Sequence, residues 1–454
     1  MNPDRVFSNG TIVTPSGRFV GDIGIKNGKI CFISEASDRH NGAEVIDVSG
    51  KYVLPGLIDG HVHFQDPGIT HREDIEHGSA AAAVGGITTC ISHPLNIPPA
   101  VDVSSYQETL ACYQGRAVVD YALHGGGTAS NLEEISTLWR NTGATSLKVF
   151  MCFSVAEFPF VQDDAMFVIL EKLAAENGVA IIHAESDKLT SLMEERLKKA
   201  GRCDPRAHVD SRPVMVEVEA VNRAIFLLEQ TGASAVILHV SSVEALKAIN
   251  KAKKRGVKVY AETCPHFLTF NETDIDRHGP YLKFTPVMRN QENRRKLWDS
   301  IAKGMIDTIG SDHCPYTVEE KERGRDDIWK APNGLPGLET LLPVLLNGVN
   351  EGLISLEKVV EITSANPAKI YGLAPVKGEI TPGSDADLAI VDMQKEKKYD
   401  AENGPSKCSW SPYDDMTFKG WPVMTVVRGE IVAADGDVKV APGYGDYVPR
   451  QDNR

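Results

Sequence analysis

The chain has 454 residues, 62 of them acidic and 48 basic, so its formal net charge is −14 with 13 histidines counted as neutral. That excess of negative charge disfavours nucleic acid and anionic membranes as partners, because both are bound through clustered lysine and arginine. A content of 42% hydrophobic and 24% charged residues excludes disordered and fibrous classes.

The sequence also carries no sign of export or membrane insertion. No apolar run approaches the roughly 18 residues of a membrane span. The N-terminal residues MNPDRVFSNGTIV lack the basic and apolar regions of a secretory signal. The eight cysteines contain no CxxC pair, which indicates reduced thiols. We therefore expect a cytoplasmic protein.

Short β-strands are predicted at both ends of the chain. Strand-like runs near the N-terminus are RVFSNGTIV, DIGIKNGKICFIS and EVIDVSG. Within them, Asn9-Gly10 and Lys26-Asn27-Gly28 stand between alternating apolar residues and predict hairpin turns. A similar pattern returns near the C-terminus in DADLAIVDM and PVMTVVRGEIVAADG.

The region from about residue 54 to 372 alternates apolar strand-like runs with helical stretches. Eight such runs follow one another: VLPGLIDGHVHF, ITTCISHPL, VVDYALHGGG, SLKVFMCF, VAIIHAES, AVILHVSS, VKVYAETCPHF and DTIGSDHCP. Helical candidates between them include IEHGSAAAAV, DAMFVILEKLAAENG, VEALKAINKAKKRG and ENRRKLWDSIAKG. Eight alternations with continuous apolar strands predict a parallel α/β barrel of the (β/α)8 type.

Ionisable residues stand at the C-terminal ends of these predicted strands. In a barrel those ends converge on one face, where active sites are built. Burying ionisable groups there without partners would cost several kcal/mol, which favours a functional role. The residues are His61, His63, His93, His124, Lys148, His183, His239, His266 and Asp312.

Five of these residues predict a metal site. His61 and His63 are two residues apart on a strand, so both imidazoles project to the same side. His183 and His239 end the fifth and sixth strands, and Asp312 ends the eighth. Imidazole and carboxylate are the ligands of a catalytic zinc-type site that keeps a position open for water.

Lys148 lies in the otherwise apolar strand SLKVFMCF. Burial beside cations would lower the pKa of its ammonium group. A neutral amine can add carbon dioxide and become a carbamate, an anion able to bridge two metals. The alternative is a lysine whose ammonium reaches out of the barrel into water.

The motifs DGHVHFQDPG, LKVF, IIHAES, ILHVSS and GSDHCP together resemble those of the cyclic amidohydrolases in the amidohydrolase superfamily. This group contains hydantoinases, allantoinases, dihydropyrimidinases and dihydroorotases. The resemblance extends to NPAKIYGL and KGEITPGSDADLAIVD after the barrel. It implies a barrel over residues 54–372 and a small β-sandwich domain built from residues 1–53 and 373–454.

The resemblance also implies a binuclear metal centre and a mechanism. One metal would bind His61, His63 and Asp312, the other His183 and His239, and carboxylated Lys148 would bridge them. The metals would activate a water for attack on a ring carbonyl. Asp312 would accept the water's proton and pass it to the departing ring nitrogen. Zinc is expected, and the ligands also suit manganese and cobalt.

Four positions bear on the ring that is bound. Dihydroorotases carry an arginine two residues after the second histidine, and the neutral Gln65 at that position cannot pair with a substrate carboxylate. Asn96 remains able to contact a polar substituent. Asn333 in the PNG segment and Thr285 resemble the hydantoinase positions whose backbone pairs with the ring's imide edge.

Phe153 departs from the dihydropyrimidinase pattern. Those enzymes carry a tyrosine five residues after the carboxylated lysine, and its hydroxyl supports the oxyanion. Phe153 has no hydroxyl. An apolar set near Lys148 predicts either a pocket for a hydrophobic ring substituent or ordinary loop packing: Met151, Phe153, Phe158 and Phe160.

The remaining histidines are given structural or solvated roles. His93 and His266 are expected to hydrogen-bond groups around the metal ligands, and His313 is expected to be structural. Histidines in polar segments are predicted to be solvated: His40, His71, His77, His208 and His278.

These observations predict a metal-dependent hydrolase that opens a five-membered ureide ring, either a 5-substituted hydantoin or allantoin. Dihydropyrimidinase and dihydroorotase activities remain alternatives. A non-catalytic scaffold related to this group is a third, disfavoured because all six metal-site residues are present. The resemblance implies a homo-oligomer, a tetramer, with no partner beyond the small-molecule substrate.

Overall fold

The computed structural model describes residues 2–35, 42–156 and 158–451. His40 lies outside these ranges. The strands before the barrel are β1 Arg5–Thr14, β2 Gly17–Lys26, β3 Lys29–Glu35, β4 Glu44–Asp47 and β5 Tyr52–Pro55. The barrel strands are β6 Leu57–Val62, β7 Ile87–Ser92, β8 Asp120–Leu123, β9 Gly125–Gly126, β10 Leu147–Phe150, β11 Val179–His183, β12 Ser234–Ile237, β13 Val259–Thr263 and β14 Thr308–Ile309. The strands after it are β15 Leu388–Lys398, β16 Thr417–Val427, β17 Glu430–Ala434 and β18 Asp437–Val438.

The α-helices surround the barrel. They are α1 Ile75–Val84, α2 Val103–Tyr113, α3 Ile135–Asn141, α4 Asp163–Ala175, α5 Asp187–Lys199, α6 Pro205–Asp210, α7 Val214–Thr231, α8 Val243–Lys254, α9 Pro265–Thr269, α10 Ile275–His278, α11 Gln291–Ala302, α12 Val318–Glu322, α13 Leu341–Asn350, α14 Leu356–Val360 and α15 Asn366–Ile370. A π-helical turn, Glu361–Ala365, joins α14 to α15. No helix in the described ranges is long and apolar enough to cross a membrane.

The eight predicted barrel strands are all present, and the expected α/β barrel fold is confirmed. Adjacent strands pair in parallel from β6 to β8 and from β9 to β14. The third strand is interrupted at His124, between β8 and β9. A parallel bridge between Val62 and His313 closes the circle, with the His63 N–H donating to the His313 carbonyl at 2.9 Å.

All four predicted helices form, and capping or left-handed residues mark at least one end of each. Asp74 caps α1 by accepting the backbone N–H of His77 at 2.9 Å. Just beyond α8 and α11, Gly256 and Gly304 adopt positive φ angles of 90° and 68°. This left-handed conformation ends a helix at least cost in glycine.

The segments before and after the barrel together build one separate sheet of nine strands. Its order is β18-β17-β16-β15-β5-β1-β2-β3, with β4 paired to β1. The central pair joins β5 to β15 in antiparallel register, with Leu54 opposite Ala389. The sheet encloses its own apolar core, which includes Phe7, Ile23 and Leu388. The finer division into residues 1–53, 54–372 and 373–454 stays a prediction.

One of the two predicted hairpin turns is wrong. Asn27-Gly28 turns between β2 and β3, with φ angles of 51° and 76°. Asn9-Gly10 instead lies inside β1, where it forms a bulge against β2. Asn9 has a φ of 61°, and its N–H donates to Asp22 Oδ1 at 2.9 Å. A Cβ on Gly10 would come within 2.6 Å of Val53 Cγ2, so close packing rather than a turn requires this glycine.

A buried ion cluster fastens the sheet to the barrel. Lys377 is 2% exposed. Its Nζ contacts Asp387 at 2.6 Å and Asp385 at 3.0 Å near the start of β15, and also Asp120 in β8. Arg428 pairs with Asp120 from the turn after β16. Burial alone would lower the pKa of Lys377, but the carboxylates outweigh it and raise the pKa.

Replacing Lys377 by methionine should lower the free energy of unfolding by about 3–5 kcal/mol, because buried carboxylates lose their compensating charge. Denaturant unfolding followed by circular dichroism measures the change. Lys369→Met is the matched control, since that lysine is 60% exposed in its pair with Glu379. A loss below 1 kcal/mol for Lys377→Met would mean that the cluster is not a structural anchor.

Candidate metal centre

Eight of the residues singled out in the sequence converge on one cavity at the C-terminal face of the barrel. His61 ends β6 together with Val62, Lys148 lies in β10, and His183 is the last residue of β11. The other cavity-lining members stand on segments that follow or connect strands: His63, His239, Thr285, Asp312 and Asn333.

The side chains of His61, His63 and Asp312 have the spacing of ligands around one cation. Asp312 Oδ1 lies 3.1 Å from His61 Nε2 and 3.3 Å from His63 Nε2. Ligand atoms 2.0–2.1 Å from a tetrahedral metal are roughly 3.3 Å apart. His61 Nε2 is buried and, among the described residues, forms no hydrogen bond. These distances therefore suit three ligands of one metal ion better than hydrogen bonds among the three side chains.

Two backbone positions at this face are strained. His239 has a φ of 38° and Asp312 a φ of 51°. This left-handed region is uncommon for residues other than glycine and is concentrated at functional sites. Next to Asp312, a Cβ on Gly310 would approach His61 Cβ to 2.6 Å, so the GSD segment can pass close to His61 only with glycine.

The charges of the site attract a cation. Burial lowers the pKa of His61, but the carboxylates of Asp312 and Glu262 outweigh it and raise the pKa to about 9. Burial raises the pKa of Asp312, yet His61 and His63 hold it well below its ordinary value. Without a metal, protonated His61 therefore supplies the positive charge that the carboxylates of Asp312 and Glu262 stabilise.

His183 and His239 form the second half of the site. Their ring centroids are 4.5 Å apart. His183 Nε2 lies 2.9 Å from Glu185 Oε2, which leaves its Nδ1 for a metal. Arg212 Nη1 donates to the same carboxylate oxygen at 2.9 Å. Burial raises the pKa of Glu185, but Arg212 and His183 together lower it to about 2, so this carboxylate stays charged.

Glu262 connects the two halves and was missed in the sequence. Its Oε1 lies 2.6 Å from His61 Nδ1 and accepts the backbone N–H of His239 at 3.3 Å. A carboxylate on the far ring nitrogen fixes the tautomer and orientation of a metal-binding histidine. The signals were present, because Glu262 is an acid inside a buried strand and Glu185 stands two residues after His183.

Replacing Glu262 by glutamine should weaken metal binding about 10–100-fold, because His61 loses the charge that orients it and raises its basicity. Competition with a chelator measures the metal dissociation constants. Glu244→Gln, an exposed change on α8, should leave them unaltered. Equal metal affinity in the two variants would contradict this role for Glu262.

Lys148 is buried at the cavity beside the candidate metal ligands. It is 1% exposed, and its Nζ lies 4.4 Å from the centre of the Phe150 ring. Within the described residues no hydrogen bond or ion pair is found for its ammonium group. Burial lowers the pKa of Lys148 to about 8, which increases the share of neutral amine. A buried amine beside five candidate metal ligands fits a group that is chemically modified in the working protein.

His93 and His266 do not make the hydrogen bonds expected of them. Both ring nitrogens of each are buried without a hydrogen-bond partner among the described residues. His93 stacks on His61 with centroids 4.1 Å apart and an interplanar angle of 4°. One ring nitrogen of His93 lies within 4.8 Å of a ring nitrogen of His61 and of His63. The stacked His93 ring thus helps to orient His61.

The expectation that His208 is solvated is wrong. It is 1% exposed, and its Nε2 lies 2.9 Å from the Phe284 carbonyl, so it supports the segment that leads to Thr285. The polar residues around His208 suggested an exposed position, but α6 packs this histidine against the segment that contains Phe284. His313 is also buried. Its Nδ1 accepts the N–H of Gly337 at 3.2 Å, which fits the structural role expected of it.

Three residues predicted to contact the substrate do not line the cavity. Asn96 is buried, and its Nδ2 donates to Thr109 Oγ1 at 3.4 Å, on α2. Gln65 accepts a hydrogen bond from Arg72 Nη1 at 3.2 Å. Phe153 is 59% exposed. None of these three side chains lines the cavity. Each is near a ligand in the sequence, but the path of its loop turns the side chain elsewhere.

The apolar wall of the cavity comes from residues other than the predicted set. Leu95, Phe150, Val155 and Phe284 line it. Phe158 packs behind this wall, with its ring centroid 5.7 Å from that of Phe150. Of the apolar residues singled out near Lys148, Phe158 therefore has the packing role that was the alternative prediction.

Comparison with known proteins gives a consistent result over the whole chain. The amidohydrolase family model matches residues 52–432. An L-hydantoinase of Paenarthrobacter aurescens is 40% identical over 451 residues, which cover 99% of this chain and 98% of that protein. An allantoinase of Deinococcus radiodurans is 33% identical over 445 residues, covering 97% and 98%. The solved structure of L-hydantoinase (dihydropyrimidinase) from Arthrobacter aurescens matches with a TM-score of 0.96 at 40% identity, covering 98% of this chain and 100% of that one.

Proposed function

Because the chain belongs to the amidohydrolase family, we propose that it hydrolyses a cyclic amide bond in a five-membered ureide ring, a 5-substituted hydantoin or allantoin. The product is an N-carbamoyl or ureido acid. Full-length similarity to hydantoinases and allantoinases makes the chain a hydrolase of carbon–nitrogen bonds in cyclic amides. The convergence of four histidines, Lys148 and Asp312 on one cavity carries the proposal.

A binuclear metal centre is the cofactor that the family implies, and the residues present fit it. We assign one divalent ion to His61, His63 and Asp312 and the other to His183 and His239. Zinc is the first candidate, since imidazole nitrogen and carboxylate oxygen suit it well. When bound, the metals supply Lewis acidity and lower the pKa of a water molecule.

We also assign a carbamate to Lys148. The neutral Nζ attacks carbon dioxide, an N–C bond forms, and one proton leaves to solvent. The unpartnered amine becomes an anion, which matches the positive charge expected on either side of it. In the unmodified form a buried ammonium would repel both metals.

Residues of this chain move the proton and bind the ring. Asp312 accepts a proton from the attacking water as the new C–O bond forms. It returns that proton to the ring nitrogen as the C–N bond breaks. The low pKa of Asp312 keeps it in the carboxylate form needed for the first step. Thr285, Asn333 and Gly334 face the cavity from two loops, where backbone groups can pair with the imide edge of the ring.

The cavity favours a neutral ring with an apolar substituent. Leu95, Phe150, Val155 and Phe284 supply a hydrophobic wall. Lys148 is the single lysine or arginine among the described residues that line it, so no guanidinium meets a substrate carboxylate. Dihydroorotate therefore lacks an ion-pair partner. Dihydropyrimidine remains the second candidate because a related structure carries both names.

Parallel ring-opening assays of the metal-replete protein test this function. The substrates are allantoin, a 5-aryl hydantoin, dihydrouracil and dihydroorotate. Preference for either five-membered ring supports the proposal and names the branch. Preference for dihydrouracil or dihydroorotate replaces it with the corresponding alternative. Two bound metals with no ring opened would reject all four substrates.

Two further properties belong to the proposal. We expect a homotetramer, as the family resemblance implies, which sedimentation analysis will test. We also expect a cytoplasmic location, because all eight cysteines lie unpaired in the described residues, as in a reducing compartment.

A further inference from the structure

Outside the candidate metal centre, two lysines in the described part of the chain are buried without an ion pair. Lys283 is 6% exposed and Lys321 is fully buried. Over the described ranges neither ammonium group lies in a salt bridge with a carboxylate. A buried ammonium is costly unless hydrogen bonds compensate it. We therefore expect each of these two ammonium groups to donate hydrogen bonds to several buried acceptors.

Three of the four acceptors are backbone carbonyls of one loop, residues 328–332. Lys283 Nζ donates to the carbonyl of Ile328 at 2.8 Å and to that of Ala331. Lys321 Nζ donates to the Pro332 carbonyl at 3.1 Å and to the carbonyl of Lys283 itself at 3.0 Å. Three backbone carbonyls of the loop 328–332 are thus bound by two buried lysines.

The same loop continues directly into the cavity. Asn333 and Gly334 line it, and the N–H of Gly334 donates to the Lys283 carbonyl at 3.0 Å. A Cβ on Gly334 would lie 2.4 Å from the Cys314 carbonyl, so this segment passes very close to the strand end that carries Asp312. Lys283 also immediately precedes Phe284 and Thr285, which line the cavity from the other side.

We propose that Lys283 and Lys321 are positioning residues that hold the Pro332–Gly334 and Phe284–Thr285 segments at the separation needed to clasp the imide edge of the substrate ring. Hydrogen bonds from a charged donor are stronger than neutral ones. They fix the backbone before the ring arrives, which reduces the ordering cost of binding. This role rests on the function proposed above.

The lysines cost stability, which agrees with a role in function. Burial lowers the pKa of Lys321 to about 7 and that of Lys283 to about 8. A lysine whose pKa is lower in the fold than in the unfolded chain is protonated more readily in the unfolded chain. At neutral pH its protonation therefore favours unfolding. A residue kept at such a cost is expected to contribute to the site.

The test compares Lys321→Met and Lys283→Met with Lys330→Met in the metal-loaded enzyme. Lys330 lies on the same loop, 69% exposed, beside Asp327 at 3.5 Å. Loss of charged donors should raise KM about tenfold, the equivalent of one net hydrogen bond. We expect kcat to change less than about threefold and metal content to stay the same, because the groups that move protons are untouched. Lys321→Gln, which keeps a side-chain NH2 donor group, should raise KM less than Lys321→Met does.

Hydrogen exchange of the backbone amides of residues 328–335 provides a readout without substrate. The two methionine variants should exchange faster there, above all at Gly334, while Lys330→Met matches the wild type. Faster exchange with no ring opened by the wild type would support the loop role and reject the proposed function. Normal KM and normal exchange in an active enzyme would overturn the inference. Loss of folding in every variant of Lys283 and Lys321, or equal losses of kcat and metal, would also overturn it.

Discussion

Replacement of Asp312 by asparagine is expected to lower kcat by about 10³–10⁴, because it removes the proposed proton acceptor of the reaction. Its Oδ1 also lies 3.1 Å from His61 Nε2 and 3.3 Å from His63 Nε2, which are distances between ligands of one metal ion. Asparagine tolerates the left-handed backbone at this position at least as well as aspartate. The expected loss therefore reflects chemistry and not local misfolding.

Steady-state kinetics on the preferred ring, elemental analysis and thermal unfolding together check this expectation. Asp326→Asn is the matched control, because that aspartate is exposed and follows Asp312 by 14 residues in the chain. It should leave kcat within about twofold, as is usual for surface changes. A loss below tenfold in Asp312→Asn, with metals still bound, would mean that another group moves the proton.

Replacement of Lys148 by alanine should abolish binding of one metal and lower kcat by at least about 10³, because the proposed bridging anion is lost. The shortened side chain leaves space in the interior. Formate or acetate can enter it and replace the carboxylate of the carbamate, so millimolar additions should restore part of the activity. The measurements are metal content per chain and initial rates with and without the added acid.

Lys148→Met separates this chemistry from simple loss of packing. Methionine fills the volume of the lysine, so small acids should restore nothing. A ¹³C resonance from labelled bicarbonate should appear in the wild type and be missing from both variants. Two metals and wild-type turnover in Lys148→Ala would remove the carbamate from the mechanism.

The barrel and its polar face were predictable because both depend on regular patterns. Apolar runs of strand length ending in histidine, lysine or aspartate marked all eight strands, and parallel topology brings such ends together. The cavity-facing positions of His61, His183 and Asp312 follow from that rule alone. The metals they bind stay a prediction until a metal analysis is made.

Loop positions were less predictable, because the direction of a side chain there depends on contacts distant in sequence. Phe153 and Asn96 looked suitable by residue type, but one turns to solvent and the other to α2. Glu262 was overlooked because its partners, His61 and His239, are distant in sequence. Asn9-Gly10 shows the same limitation, since packing against Val53 placed a turn motif inside a strand.

The pairing of β5 with β15 constrains the order in which the molecule can fold during synthesis. Leu54 leaves the ribosome more than 300 residues before Ala389, its neighbour in the sheet. At 5–20 residues per second this interval lasts roughly 20–70 s. Throughout it the first five strands present an open edge that can pair with other chains. We therefore expect the N-terminal strands to need protection from such pairing until β15 has been synthesised.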